Sequence, residues 1–175
     1  PIEPVMGWDR LWVSLQQADI AVFTSANAVH QVLSQSPRWQ GDCQFAAIGV
    51  ATQAAMAEYG VVCDWLPMRD YRSEGLLELP VFKAVQGLKI LLFAGEGGRD
   101  YLQTILTDRG AFVEKIAVYR RVCPQNDTWP LEQFLARNNP KIMVSTSVES
   151  LANLLKLAEG LGDLREFPLL VISER

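Results

Sequence analysis

The residues best suited to chemistry are small hydroxyl, amide and glycine positions that follow apolar runs, together with one tyrosine. Four segments carry them: Thr24-Ser25-Ala26-Asn27, Gly49-Val50-Ala51-Thr52, Thr146-Ser147 and Ser173-Glu174-Arg175. The first three stand where a run of strand length gives way to a helical period, and the fourth follows the last apolar run. A helix starting at such a point exposes backbone N–H donors and the positive end of its dipole, which suit carboxylates or phosphates. The same residue types are ordinary helix N-caps, and taken singly each segment reads more simply as a cap. Matching segments in two lobes, turned toward one cleft, would favour binding.

Two further constellations bear on chemistry. Gly95-Glu96-Gly97-Gly98-Arg99 follows an apolar run and opens a helical period, as a nucleotide-binding turn does. Asp100 stands where a dinucleotide fingerprint needs its third glycine, and the Lys-Ser/Thr of a phosphate-binding loop is missing. Arg99 beside free amides would still form a carboxylate site. Tyr119-Arg120-Arg121 ends a long apolar stretch. There Tyr119 can donate a proton or hydrogen bond, and an arginine can reach an acidic ligand. A lone tyrosine is more often half-buried with its hydroxyl at the surface.

Composition narrows the classes. The 175 residues are 49% apolar and 21% charged, ordinary for a globular chain with a real core. The formal net charge of -4 argues against a general affinity for nucleic acid. Cys43, Cys63 and Cys123 are widely spaced and form no metal-binding pair, so they read as reduced thiols of a cytoplasmic protein. His30 is the only histidine, which excludes a two-histidine metal motif and leaves a serine triad dependent on it alone. No apolar run reaches membrane-spanning length, and no signal peptide is visible. Trp8, Trp12, Trp39, Trp65 and Trp129 read as packing or surface aromatics.

Stepping along the chain, apolar runs at 20–24, 45–48, 61–66, 89–93, 112–122, 142–145 and 169–172 read as strands. Helical periods fall at 26–33, 51–59, 73–79, 99–108, 131–137 and 149–157. Ser73 is expected to cap its helix and Pro80 to follow that helix's end. Gly60 and Gly110 fit helix C-termini. Alternating βα units predict an α/β fold with parallel sheets flanked by helices. Residues 23–33 can be laid on 145–155: the Thr-Ser pair and the closing apolar pair agree, which suggests two lobes of one plan. The Pro- and Asn-containing stretch 123–130 is the best boundary. The lobes are then placed at 5–118 and 123–175, with 1–4 and 119–122 as connection. The second lobe holds too few strands to be complete, and both chain ends read as cut from something longer.

The ordered series FTSANAV at 23–29, AIGVAT at 47–52, SEGLL at 73–77, GEGGRDYL at 95–102, RGAFV at 109–113, VYRR at 118–121, STSVESLANLL at 145–155 and LLVISER at 169–175 resembles the uroporphyrinogen-III synthase family. The resemblance implies two similar α/β lobes joined by a two-stranded linker, with a cleft between them. It also implies that one lobe is continuous and the other built from both ends of the chain. The opening βα unit would then precede Pro1, and a final helix–strand region would follow Arg175. The implied substrate is hydroxymethylbilane, closed with inversion of its last pyrrole ring and loss of water, without metal or cofactor. Such chemistry rests on orientation of an intrinsically reactive chain. By the same resemblance Tyr119 is the acid or hydrogen-bond donor at the departing hydroxyl. Thr52 would hold an acetate or propionate arm. Thr24, Ser25, Asn27, Ser73, Gly98, Arg99, Thr146, Ser147 and Ser173 are further carboxylate-binding candidates. A monomer is expected, receiving substrate from hydroxymethylbilane synthase. Competing readings are a two-lobed binding module without catalysis, a receiver-like domain and a nucleotide enzyme using 95–99. Strands that end in Thr-Ser and Gly, not in clustered acids, speak against the receiver.

Overall fold

A computed structural model describes residues 2–4, 15–35, 42–123 and 128–171. They fall into two compact units, one over Ile2–Arg121 and one from Val122 onward. Of the positions singled out above, Ser173, Trp8, Trp12 and Trp39 lie outside the described residues, as do parts of the predicted boundary and of the last strand.

The larger unit is built on a five-stranded sheet in the order β1-β5-β4-β2-β3. Its strands are β1 (Ile2–Pro4), β2 (Ile20–Phe23), β3 (Gln44–Ala47), β4 (Lys89–Gly95) and β5 (Phe112–Arg121). The three pairings from β3 to β5 are parallel, and only β1 runs antiparallel, with Ile2 opposite Arg121 and Pro4 opposite Tyr119. Both faces of the sheet are covered, which is why β2 and β4 read as unbroken apolar runs. Ala21, Phe23, Phe45, Leu91 and Phe93 pack on one face with Val29 and Val32 of α1 (Ala26–Leu33) and Met56 of α2 (Val50–Glu58). Ile20, Val22, Ile90 and Leu92 pack on the other. There they meet Leu76 of α3 (Ser73–Leu77), Phe82 of α4 (Pro80–Lys83) and Leu102 and Leu106 of α5 (Tyr101–Asp108).

Four local expectations change. Residues 61–66 form no strand: Trp65 makes one bridge to Ala46 and the rest follow β3 as irregular chain. Ser73 is the first helical residue and Arg72 stands at the cap, with no side-chain cap bond. Pro80 opens α4 instead of trailing a helix, the position where its missing N–H costs nothing. The helix expected from 99 begins at Tyr101, because Gly97 takes a left-handed turn (φ 72°) and residues 98–100 run on before the first helical turn.

The smaller unit carries α6 (Trp129–Ala136), β6 (Met143–Ser145), α7 (Val148–Leu157), a 3-10 turn (Leu164–Glu166) and β7 (Leu169–Val171). The two strands are parallel, with Val144 opposite Leu170. Its core is small: Met143, Ala158 and Leu164, backed by Leu131, Leu135, Leu154 and Phe167. The two Thr-Ser steps matched in the sequence have similar helix caps. Ser25 accepts from the Ala28 N–H at 3.2 Å, and Ser147 from the Ser150 N–H at 3.0 Å. Their backbones agree, at φ/ψ of -165°/157° and -158°/155°.

Candidate active site

From β2 the chain moves first to β3 on one side and then to β4 on the other. Such a reversal splays the connecting loops and opens a crevice beyond the carboxyl ends of the strands. A cavity of about 310 Å³ lies there. Thr24 and Ser25 after β2, Ala94 and Gly95 at the end of β4, and Tyr119 near the end of β5 all line it. The Thr24 hydroxyl donates to the Phe93 carbonyl at 3.1 Å and ties the ends of β2 and β4 together.

Tyr119 owes its direction to a bulge. Ala94 pairs with Ala117, but Gly95 pairs with Tyr119, so Val118 is an extra residue in β5. One extra residue shifts the side-chain alternation and turns the next side chain to the other face. Tyr119 therefore joins Ile116 and Val118 in the core against α1 and α2, and is only 2% exposed. The commoner fate of a lone tyrosine, half-buried with its hydroxyl at the surface, is not the one found here. Its Oη lies 3.1 Å from Ser25 Oγ and accepts from Arg121 Nη2 at 3.4 Å. The Arg121 guanidinium also sits 5.7 Å from the centre of the ring. The Ser25 hydroxyl thus serves both the amide of α1's first turn and the phenol.

Four cations line the cavity: Arg72, Arg99, Lys115 and Arg121. None of the lining residues is acidic, in a chain whose net charge is -4. Arg72 pairs with Asp70 at 2.6 Å, Lys115 with Asp100 at 2.6 Å, and Arg99 with Glu74 at 3.4 Å. Lys115 also donates to the Gly98 carbonyl at 2.8 Å and so braces the glycine-rich turn. The Arg72 hydrogen bonds hold the Asp70 carboxyl below its ordinary 3.8. Arg72 and Arg99 are well exposed, so solvent screens their pairs and holds them weakly. An incoming carboxylate can replace the present partner at little cost.

Of the residues expected from sequence, Thr24, Ser25, Ser73, Gly98, Arg99 and Tyr119 meet in this cavity. Asn27 is exposed on α1, and Thr52 is buried in the first turn of α2; neither lines it. Thr146 and Ser147 belong to the smaller unit, where Ser147 caps α7. Sequence reasoning missed Lys115, Tyr71 and Arg72. Lys115 carried little signal, since its strand also holds Glu114, Arg120 and Arg121. His30 hydrogen-bonds the Tyr59 hydroxyl at 3.2 Å and does not line the cavity. The three cysteines are free, and burial pushes the Cys43 thiol up to about 12. Among the described residues no cluster of ligating side chains forms a metal site. No helix there is long and apolar enough to cross a membrane.

A mixed, mainly parallel α/β sheet with a tyrosine-bearing pocket at its switch point makes a doubly wound scaffold, and the pocket's lining charge is of the sign that suits anions. Comparison with known proteins makes the class specific. The family model described as uroporphyrinogen-III synthase HemD matches residues 2–175. The uroporphyrinogen-III synthase of Salmonella typhimurium is 31% identical over 95% of this chain and 70% of its own length. That of Synechococcus elongatus is 27% identical over 92% of this chain and 64% of its own. Among solved structures, the Helicobacter pylori uroporphyrinogen-III synthetase aligns with a TM-score of 0.67 at 15% identity. That alignment covers 99% of this chain and 75% of the other. A Thermus thermophilus uroporphyrinogen III synthase mutant aligns with a TM-score of 0.62 at 19% identity, over 100% and 81%. The chain belongs to the uroporphyrinogen-III synthase family, the cyclising lyases that close hydroxymethylbilane in tetrapyrrole biosynthesis. It spans about two thirds of the length of the curated relatives named here. Every one of those relatives is a synthase, so a binding module without catalysis finds no support among them.

Proposed function

We propose that the cavity at the β2/β4 switch point holds carboxylate arms of hydroxymethylbilane, and that Tyr119 donates a hydrogen bond or proton to its departing hydroxyl. The observation that carries this reading is a buried phenol seated among four lining cations. The substrate named for the family bears eight carboxylates. Loss of its hydroxyl leaves a cation stabilised by the electron-rich pyrrole, so the chemical step needs little beyond a donor and a fixed geometry. Tyr119 supplies the donor: the Arg121 N–H donates to the phenol oxygen, and the phenol's own hydrogen can then point to Ser25 or to the substrate. Arg72, Arg99, Lys115 and the first turn of α1 supply charge that fixes the arms. Holding the last ring in place for attack at its other carbon is an orientation effect, and such effects reach about 7–11 kcal/mol.

In this reading the two units correspond to the two lobes of the fold, and the antiparallel pair of β1 with the end of β5 to their linker. Thr52, Thr146, Ser147, Asn27 and Ser173 remain proposed contacts for the carboxylate arms. The enzyme is cytoplasmic and takes its short-lived substrate from hydroxymethylbilane synthase, since the free bilane closes to the symmetric ring unaided.

Tyr119→Phe tests the central claim. Freshly made hydroxymethylbilane is supplied, products are oxidised, and the type I and type III rings are separated. A positioned proton donor contributes about 10²–10⁴-fold, so turnover to the type III ring drops by that order in a folded variant. Wild-type turnover in Tyr119→Phe would remove the role.

A further inference from the structure

We infer that Gly95 is a positioning residue for the Tyr119 hydroxyl, and that it acts by having no side chain. The inference rests on the reading of Tyr119 as donor. Gly95 ends β4 opposite Tyr119, at the point where the bulge has turned that side chain. A Cβ on Gly95 would lie 2.7 Å from Cζ, 2.8 Å from Cε2 and 2.9 Å from Oη of Tyr119. The tip of the tyrosine ring therefore fills the space a side chain at Gly95 would need. Gly95 is not among the glycines with positive φ, so its backbone admits alanine, and the nearest obstacles are the tip atoms of the ring.

The consequence falls on position, not on folding. Carbon atoms settle at about 3.5–4.0 Å, so an added methyl must move the ring tip by roughly 1 Å. The atoms it meets are the far end of a side chain, while the near end is held in the core with Ile116 and Val118. The ring accordingly turns about its own bonds and carries Oη away from Ser25 and from the cavity. The Tyr119 backbone stays put, since its carbonyl accepts from the Glu96 N–H at 2.8 Å. A displacement near 1 Å in a positioned group costs on the order of 10²-fold in rate.

The experiment is a cycle of Gly95→Ala, Tyr119→Phe and the double variant in the full chain. It reads kcat, KM, the ratio of type III to type I product and thermal unfolding. The expected result is a fall in kcat of roughly 10–100-fold for Gly95→Ala, with KM changed by less than about 3-fold. The double variant should be no slower than Tyr119→Phe, because a ring without its hydroxyl has nothing left to misplace. Wild-type kcat in Gly95→Ala beside a slow Tyr119→Phe overturns the inference and leaves the tyrosine's role standing. So does a double variant slowed by the product of both factors, which would place the glycine's effect elsewhere. A fast Tyr119→Phe defeats the donor reading itself, and the inference with it. If Gly95→Ala does not fold, it is placed in a Tyr119→Val background, where the crowding is gone. Folding restored there supports the contact, and failure to fold there refutes it.

Discussion

Ser25→Ala separates two duties that meet on one oxygen. The hydroxyl caps α1 through the Ala28 N–H at 3.2 Å and faces the Tyr119 phenol at 3.1 Å. Loss of a serine cap costs about 0.5–2 kcal/mol, typically near 1. The phenol keeps its Arg121 donor and opens onto the cavity, so losing its second partner adds at most about 0.5–1 kcal/mol. The larger unit should lose about 1–2 kcal/mol in all. Unfolding entropy near 2.1 cal/mol/K per residue, over about 120 residues, converts this to a fall of about 4–8 °C in its melting temperature. Ser25→Gly distinguishes the duties, since glycine at a cap costs only a few tenths of a kcal/mol. Calorimetry with the type III assay reads both. Ser25→Gly should be clearly more stable than Ser25→Ala, yet equally impaired in turnover, because neither residue orients the phenol. Equal stability of the two variants would refute the capping argument. Wild-type turnover in both would refute a role for the serine at the phenol.

Other perturbations have equally definite outcomes. Lys115→Met removes the brace between β5 and the Gly98 carbonyl together with one lining cation; KM for the bilane should rise several-fold while kcat changes less. Phe93→Ala empties a fully buried site stacked at 4.9 Å on Phe23 and should cost about 3–5 kcal/mol in denaturant unfolding. The Cys43 thiol is raised from an ordinary 9.0 to about 12, chiefly by burial, with repulsion from Asp19 and Asp64 adding to it. A raised acid keeps its proton when folded and loses it when unfolded. Its contribution to stability is therefore whole below pH 9 and is lost as pH climbs from 9 to about 12. Cys43→Ala should show a shallower alkaline decline in urea midpoint than the parent, and an identical decline would contradict this. In the folded parent, alkylation of Cys43 at pH 8 should be far slower than in urea.

Much of the scaffold is legible without coordinates, for local reasons. β2 and β4 are unbroken apolar runs because both faces are covered, and runs of that length between turn residues have few other uses. The helices after β2 and β6 announce themselves by a Thr-Ser step before an apolar period, and each serine caps its helix as expected. Gly60, Gly97 and Gly110 all take positive φ where the chain must turn. Expectations failed where the decisive partner is remote. Residues 61–66 have strand composition, but a strand needs a ladder, and here the backbone bonds with β3 stop at Asp64 and Trp65. Ser73 has the right type for a cap, but Arg72 takes the extended cap backbone, with its side chain on Asp70.

The site divides along the same line. The amino-acid sequence by itself determined that hydroxyls and glycines would stand at the carboxyl ends of parallel strands, because βα order and turn chemistry are properties of neighbouring residues. It also determined the family, through an ordered series of short motifs. Only the tertiary structure decided which of those residues meet. Thr24 and Ser25, Arg72, Arg99 and the β5 residues Lys115 and Tyr119 come from separate parts of the chain and share a cavity because β4 lies between β2 and β5. Only the tertiary structure decided where Tyr119 points. Strand alternation read from the sequence sets it with Lys115 and Ala117, while the unpaired Val118 turns it to the opposite face. A bulge is a property of two strands in register, and no stretch of either strand alone contains it.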